Sequence, residues 1–167
     1  MGSQTATAYY AATATNFSAS PTSAGVTVRI TQASDASVSV TLSGTLNYSR
    51  GAQTIATATS HGCTYYLALG SNGSSAPSSG WTNGSLTATN AGTYYIWYKG
   101  IKDGNHSNDI SATYKGSVTI NKVTPVLSTN PSNTSPTYNG SAQNLLSGGA
   151  MKHSSNDSTA VAGTFSY

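Results

Sequence analysis

Ala88-Thr89-Asn90-Ala91-Gly92-Thr93-Tyr94-Tyr95-Ile96-Trp97-Tyr98-Lys99 is the stretch on which the fold reading turns. Its aromatic and β-branched residues suit a pleated strand, and side chains alternate along a strand. Tyr94, Ile96 and Tyr98 therefore share one face, and Tyr95, Trp97 and Lys99 share the other. Working outward, similar runs predict strands near 36–42, 46–48, 52–58, 63–69, 86–89, 93–101 and 112–121. Asn72-Gly73, Asn83-Gly84 and Asp103-Gly104 supply turn chemistry between them. Short runs separated by Gly, Asn and Ser clusters, without helical periodicity, predict an all-β sandwich.

Composition agrees. The 167 residues include 28 Ser and 25 Thr, residues that disfavour long helices, and only 7% are charged. Disordered chains are usually rich in charge and poor in aromatics, whereas this chain has eleven Tyr and two Trp. The acids are Asp35, Asp103, Asp109 and Asp157; there is no Glu. The net charge of +3 comes from scattered Lys and Arg, which argues against nucleic acid or an anionic membrane as partner. No run of eighteen apolar residues suggests membrane insertion. Cys63 is the single cysteine, so no intrachain disulfide can form, and its apolar strand predicts a buried, inert thiol. Met1-Gly2-Ser3-Gln4-Thr5 lacks a basic-then-apolar leader, so Met1 reads either as a true start or as the cap of an excised fragment.

The chain also returns on itself at a spacing of 90 residues. Tyr48-Ser49-Arg50-Gly51-Ala52-Gln53-Thr54-Ile55 recurs as Tyr138-Asn139-Gly140-Ser141-Ala142-Gln143-Asn144-Leu145, and Thr27–Thr31 pairs with Ser117–Asn121. This period suits one β-sandwich module rather than a helical solenoid. The phase divides the chain into three. Residues 35–123 make a complete unit. Residues 1–34 align with closing strands (Tyr9-Tyr10 with Tyr94-Tyr95, Val28 and Ile30 with Val118 and Ile120), or act as an N-terminal attachment segment. Residues 124–167 align with opening strands, after a junction marked by Pro125, Pro131 and Pro136.

Asn90-Ala91-Gly92-Thr93-Tyr94 resembles the D-x-G-x-Y pattern of immunoglobulin-like domains, with Asn for Asp. There the tyrosine makes a corner, its hydroxyl bonding back to the backbone. Together with Gly51-Ala52-Gln53, Thr64–Gly70, Asp103-Gly104-Asn105-His106 and the strand and linker Ser117–Pro125, the quoted block is similar to bacterial immunoglobulin-like repeats of large surface proteins and phage virion proteins. The resemblance implies an all-β fold of immunoglobulin-like β-sandwich repeats. It implies no shared ligand, because function resides in sites rather than folds.

Candidate chemistry is sparse. His61, His106 and His153 are the candidates for catalysis or metal binding, and a triad would need a hydroxyl, His106 and Asp103 or Asp109 to converge. Abundant hydroxyls make such proximity uninformative. Asp103–Asp109 has oxygens for a loose Ca²⁺ site but lacks the carboxylate count and bidentate Glu of strong ones, so it reads as a turn. A Lys–Asn crosslink lacks a buried acid, and Asn-x-Ser sequons such as Asn47-Tyr48-Ser49 follow from composition. No catalytic, cofactor-binding or metal residue is assigned.

Tyr66, Tyr95 and Trp97 remain as contact residues. Rings exposed on the outer sheet face could stack on sugars or anchor a protein, and cross-strand pairing that merely stabilises the face is the alternative. Trp81 reads as a plug at one end of the sandwich. The expectation is a non-enzymatic structural or adhesive module, extracellular on a bacterial cell or virion surface. Its partners would be proteins or further copies of itself, engaged through the incomplete terminal units, whose own flanks should not reach each other. The alternative is a carbohydrate-binding module that takes surface glycans on the aromatic face.

Overall fold

The computed structural model describes residues 3–7, 25–155 and 157–166, and those residues contain strands and no helix. Tyr9 and Tyr10, aligned above with Tyr94 and Tyr95, lie outside them. The strands are β1 (Ser3–Ala6), β2 (Val26–Arg29), β3 (Ser37–Leu42), β4 (Leu46–Asn47), β5 (Gln53–His61), β6 (Cys63–Gly70), β7 (Leu86–Ala88), β8 (Gly92–Lys102) and β9 (Ile110–Asn121). They continue as β10 (Val126–Thr129), β11 (Ser132–Asn133), β12 (Leu146–Ser147), β13 (Ala150–Lys152) and β14 (Ala160–Val161).

The centre of the chain is two sheets, one in the order β3-β5-β7 and one in the order β4-β9-β8-β6. Their facing sides bury Val40, Ile55, Ala56, Leu67, Leu86, Ala88, Ile96, Val118 and Ile120. Alternation puts Tyr94, Ile96 and Tyr98 on the inner face of β8; Ile96 is fully buried, and the two tyrosines pack half-buried against the core. The chain changes sheets at every step from β3 to β8, and two of these crossings show how. Between β3 and β4 the Ser43 N–H donates to the Ile55 carbonyl at 3.0 Å, and β4 then runs parallel to β9. Between β5 and β6 a single residue, Gly62 at φ +66°, makes the corner; a Cβ there would lie 2.4 Å from the His106 ring. The sharp turn and the close ring both require glycine.

Tyr94 makes the expected corner, its hydroxyl donating to the Asn90 carbonyl at 2.7 Å. Cys63 is only half-buried; its Sγ lies 3.4 Å from the Ser37 carbonyl, and burial pushes the thiol pKa up.

The flanks form small sheets. β1 pairs with β2, and Val26, Val28 and Ile30 are exposed, Val28 by 56%. β10-β13-β14 and β11-β12 make two more, and no strand of the first flank pairs with one of the last among the described residues. The last flank leans on the central sandwich. The Arg50 guanidinium reaches Asp157 at 2.6 Å, while His153 donates to the Tyr48 carbonyl at 2.9 Å and sets its ring edge-on to Tyr48. The Thr159 backbone N–H and Arg50 hold the Asp157 carboxyl down at about 2.

Candidate functional site

The outer face of β6, β8 and β9 carries the aromatics. Register sets Tyr66 against Lys99, Ala68 against Trp97, and Trp97 against Tyr114. Trp97 was expected to be an exposed ring; it is only 6% exposed. The 70–80 loop folds back over it, so that the indole N–H donates to the Asn72 carbonyl at 3.0 Å, and Tyr114 closes the other side at 5.5 Å between ring centroids. Gly70 makes the cover possible: a Cβ there would lie 2.6 Å from the indole nitrogen. A Cβ on Gly73 would likewise lie 2.8 Å from the Tyr114 ring. A large indole on a sheet face exposes much apolar area, and a glycine-rich loop is able to descend onto it.

Tyr95 and Tyr66 are half-buried, and Tyr95 lies 6.4 Å from Tyr114, which is 37% exposed. Trp81 is not an end plug. Its ring lies over the Lys99 ammonium at 4.6 Å, with Tyr66 on the same cation at 5.8 Å. Thr82 bridges to Leu67 through two 2.8 Å backbone bonds, and the Asn83 side-chain amide donates to the Tyr65 carbonyl. The edge of β6 is thereby partly covered, which blunts pairing with another strand. Of the three candidates, then, Trp97 lies within the face and Tyr66 and Tyr95 flank it. Lys99 shares this face as alternation along β8 predicted, whereas Trp81 and Tyr114 belong to it without having been assigned there. The pattern Pro77–Trp81, closed by an indole N–H bond to the Pro77 carbonyl, was the available signal for Trp81.

A second cluster forms at one end of the sandwich. Asp103 accepts the His106 Nδ1–H at 2.7 Å and the Asn105 N–H at 2.8 Å, while Asp109 accepts the Lys102 N–H at 2.9 Å. These carboxylates serve the turn itself and do not converge as a calcium loop would. His106 is 9% exposed, and its other nitrogen faces the Asp35 carboxylate at 3.2 Å rather than a hydroxyl, so the geometry is not that of a triad. His61 approaches the second Asp35 oxygen at 3.5 Å and meets the His106 ring edge-on at 5.5 Å. The bond to Asp103 raises the His106 pKa, and the same bond lowers that of Asp103. Sequence reading missed Asp35, which lies in a linker far from both histidines. His153 stands apart, at the contact with the last flank.

Comparisons with family models, with curated proteins and with solved structures return no match, so function has to be argued from these sites alone.

Proposed function

We propose that this chain is a non-enzymatic structural and adhesive module of a tandem array, immunoglobulin-like in topology and displayed outside a bacterial cell or on a phage virion. The observation that carries the array is recurrence of local structure at the sequence period. Gln53 donates its side-chain amide to the Asn47 carbonyl at 3.1 Å, and Gln143 donates to the Thr137 carbonyl at 2.8 Å, each 90 residues later. Arg50 takes φ +68° where its counterpart Gly140 takes φ +80°. The pairing of Ser37 with His61 recurs as that of Leu127 with Met151. These correspondences support reading 124–167 as the opening of a second unit.

Immunoglobulin-like topology is supported by the sheet orders β3-β5-β7 and β4-β9-β8-β6, by the switch that makes β4 parallel to β9, and by the Tyr94 corner. Adhesion through the flanks is supported by apolar strand surface: Val26, Val28 and Ile30 on one side, and on the other a groove of about 530 Å³ beside Met151, Val161 and Phe165. Strand edges with apolar side chains favour a further strand from another copy or another repeat.

Two measurements test the proposal. Light scattering on the chain should give a mass that rises with concentration and falls back with Val28→Lys; a well-ordered monomer at every accessible concentration overturns self-pairing. Antiserum to the chain should label the outside of intact cells or virions of the source, and label confined to the cell interior overturns display.

The glycan reading retains a narrower footing. With Trp97 covered, the rings that a sugar could reach include Tyr66, Tyr95 and Tyr114, so glycan-array binding lost in Tyr114→Ala would favour it.

A further inference from the structure

Asp35 comes from the segment joining β2 to β3, His61 from the end of β5, and His106 from the loop between β8 and β9. Their donor atoms nevertheless all lie within 4.8 Å of one another. The His106 Nε2 lies 3.2 Å from one Asp35 carboxylate oxygen and the His61 Nε2 lies 3.5 Å from the other. Ligands at about 2.0–2.1 Å from a tetrahedral zinc ion stand about 3.3 Å apart.

The supporting shell is also present. His106 is wedged beneath Gly62 and donates its Nδ1–H to Asp103, which directs Nε2 at Asp35. A carboxylate behind a histidine in this way fixes its ring and strengthens it as a ligand. Asp35 is delivered by backbone rather than by chance. Ala33 donates to the Asn105 carbonyl at 2.9 Å, Ser107 donates to the Ala33 carbonyl at 2.8 Å, and the Gln32 side chain donates to the Gly104 carbonyl at 3.0 Å. Asp35 and His61 are exposed, so an ion can reach the position between them. Two imidazole nitrogens converging on one carboxylate call for a positive charge at their centre, supplied by a proton or by a metal ion.

We propose that Asp35, His61 and His106 bind one divalent transition-metal ion, with zinc the best match, that Asp103 positions His106, and that the fourth coordination position is open. Imidazole with carboxylate suits zinc, whereas calcium and magnesium prefer all-oxygen sites. The ion joins three segments remote in sequence. It pins the leading linker to the end of the sandwich, and because it binds the folded chain it adds to stability.

The test is calorimetric titration of zinc chloride into the tag-free 167-residue chain near neutral pH, with thermal melts alongside. One equivalent should bind and raise the melting temperature. Asp35→Asn and His61→Ala, both at exposed positions, should each weaken binding by more than about tenfold and abolish the thermal shift, and Asp103→Asn should weaken it by about 10–100-fold. His153→Gln should bind as the parent does. Far-UV spectra confirm that the variants fold. Absence of binding by the parent chain overturns the proposal and assigns the cluster to a shared proton. Uptake that survives both Asp35→Asn and His61→Ala overturns it equally.

Discussion

Trp97→Ala separates a covered structural face from a ligand platform. The ring is 6% exposed, and an indole buries about 200 Å². At about 25 cal/mol per Å² that burial is worth about 5 kcal/mol, and a compact unfolded chain reduces the difference to about 3–4 kcal/mol. Loss of the 3.0 Å bond to Asn72 adds about 1 kcal/mol. The expected destabilisation is therefore about 4 kcal/mol, in the range found for truncating large buried aromatics. That is a large part of the roughly 5–15 kcal/mol that holds a typical domain together, so the variant should be only marginally folded at room temperature. Trp97→Phe keeps most of the apolar area but removes the N–H donor, and should cost about 1–2 kcal/mol. Urea melts followed by far-UV circular dichroism, with Trp81 as the remaining fluorophore, read both. A loss below about 1 kcal/mol for Trp97→Ala would mean that the 70–80 loop does not cover the ring in solution, and the outer face would again be available as a platform.

Three further outcomes are expected. Tyr94→Phe deletes the 2.7 Å bond to the Asn90 carbonyl and should lower stability by about 0.5–1.5 kcal/mol without changing the fold, as measured by the same melts. Gly116→Ala places a Cβ at φ +145° and 3.0 Å from Leu42, so it should cost about 1–3 kcal/mol and alter the near-ultraviolet signal of the Tyr114–Trp97 pair. Asp157 has its pKa depressed from 3.8 to about 2, so its contribution to docking the last flank is fully present above about pH 4 and lost as pH falls toward about 2. Its carboxyl carbon, followed by NMR, should titrate near 2 in the parent and higher in Arg50→Gln.

The sequence by itself determined the strands of the central unit, the inner face of β8 and the Tyr94 corner. Each depends on local physics: alternation with a period of two, turn residues between runs, and a tyrosine four residues after the carbonyl it bonds. Gln53 and Gln143, which stand 90 residues apart in recurring sequence, each donate to the carbonyl six residues before them, and a bond that local can be read from sequence. What happens on the outer face was decided elsewhere. Whether Trp97 is exposed depends on a loop far enough along the chain to fold back, and no periodicity encodes that return. Tyr114 shows the same limit more sharply. Strict alternation from Val118 carries it to the inner face, but the register slips between Gly116 and Tyr114 and turns it outward against Trp97. The meeting of Asp35, His61 and His106 is likewise tertiary. A linker, a strand end and a loop are brought together only when the two sheets close and the linker is laid against the 103–107 turn, because long-range proximity is a property of the packed sheets and not of any one segment.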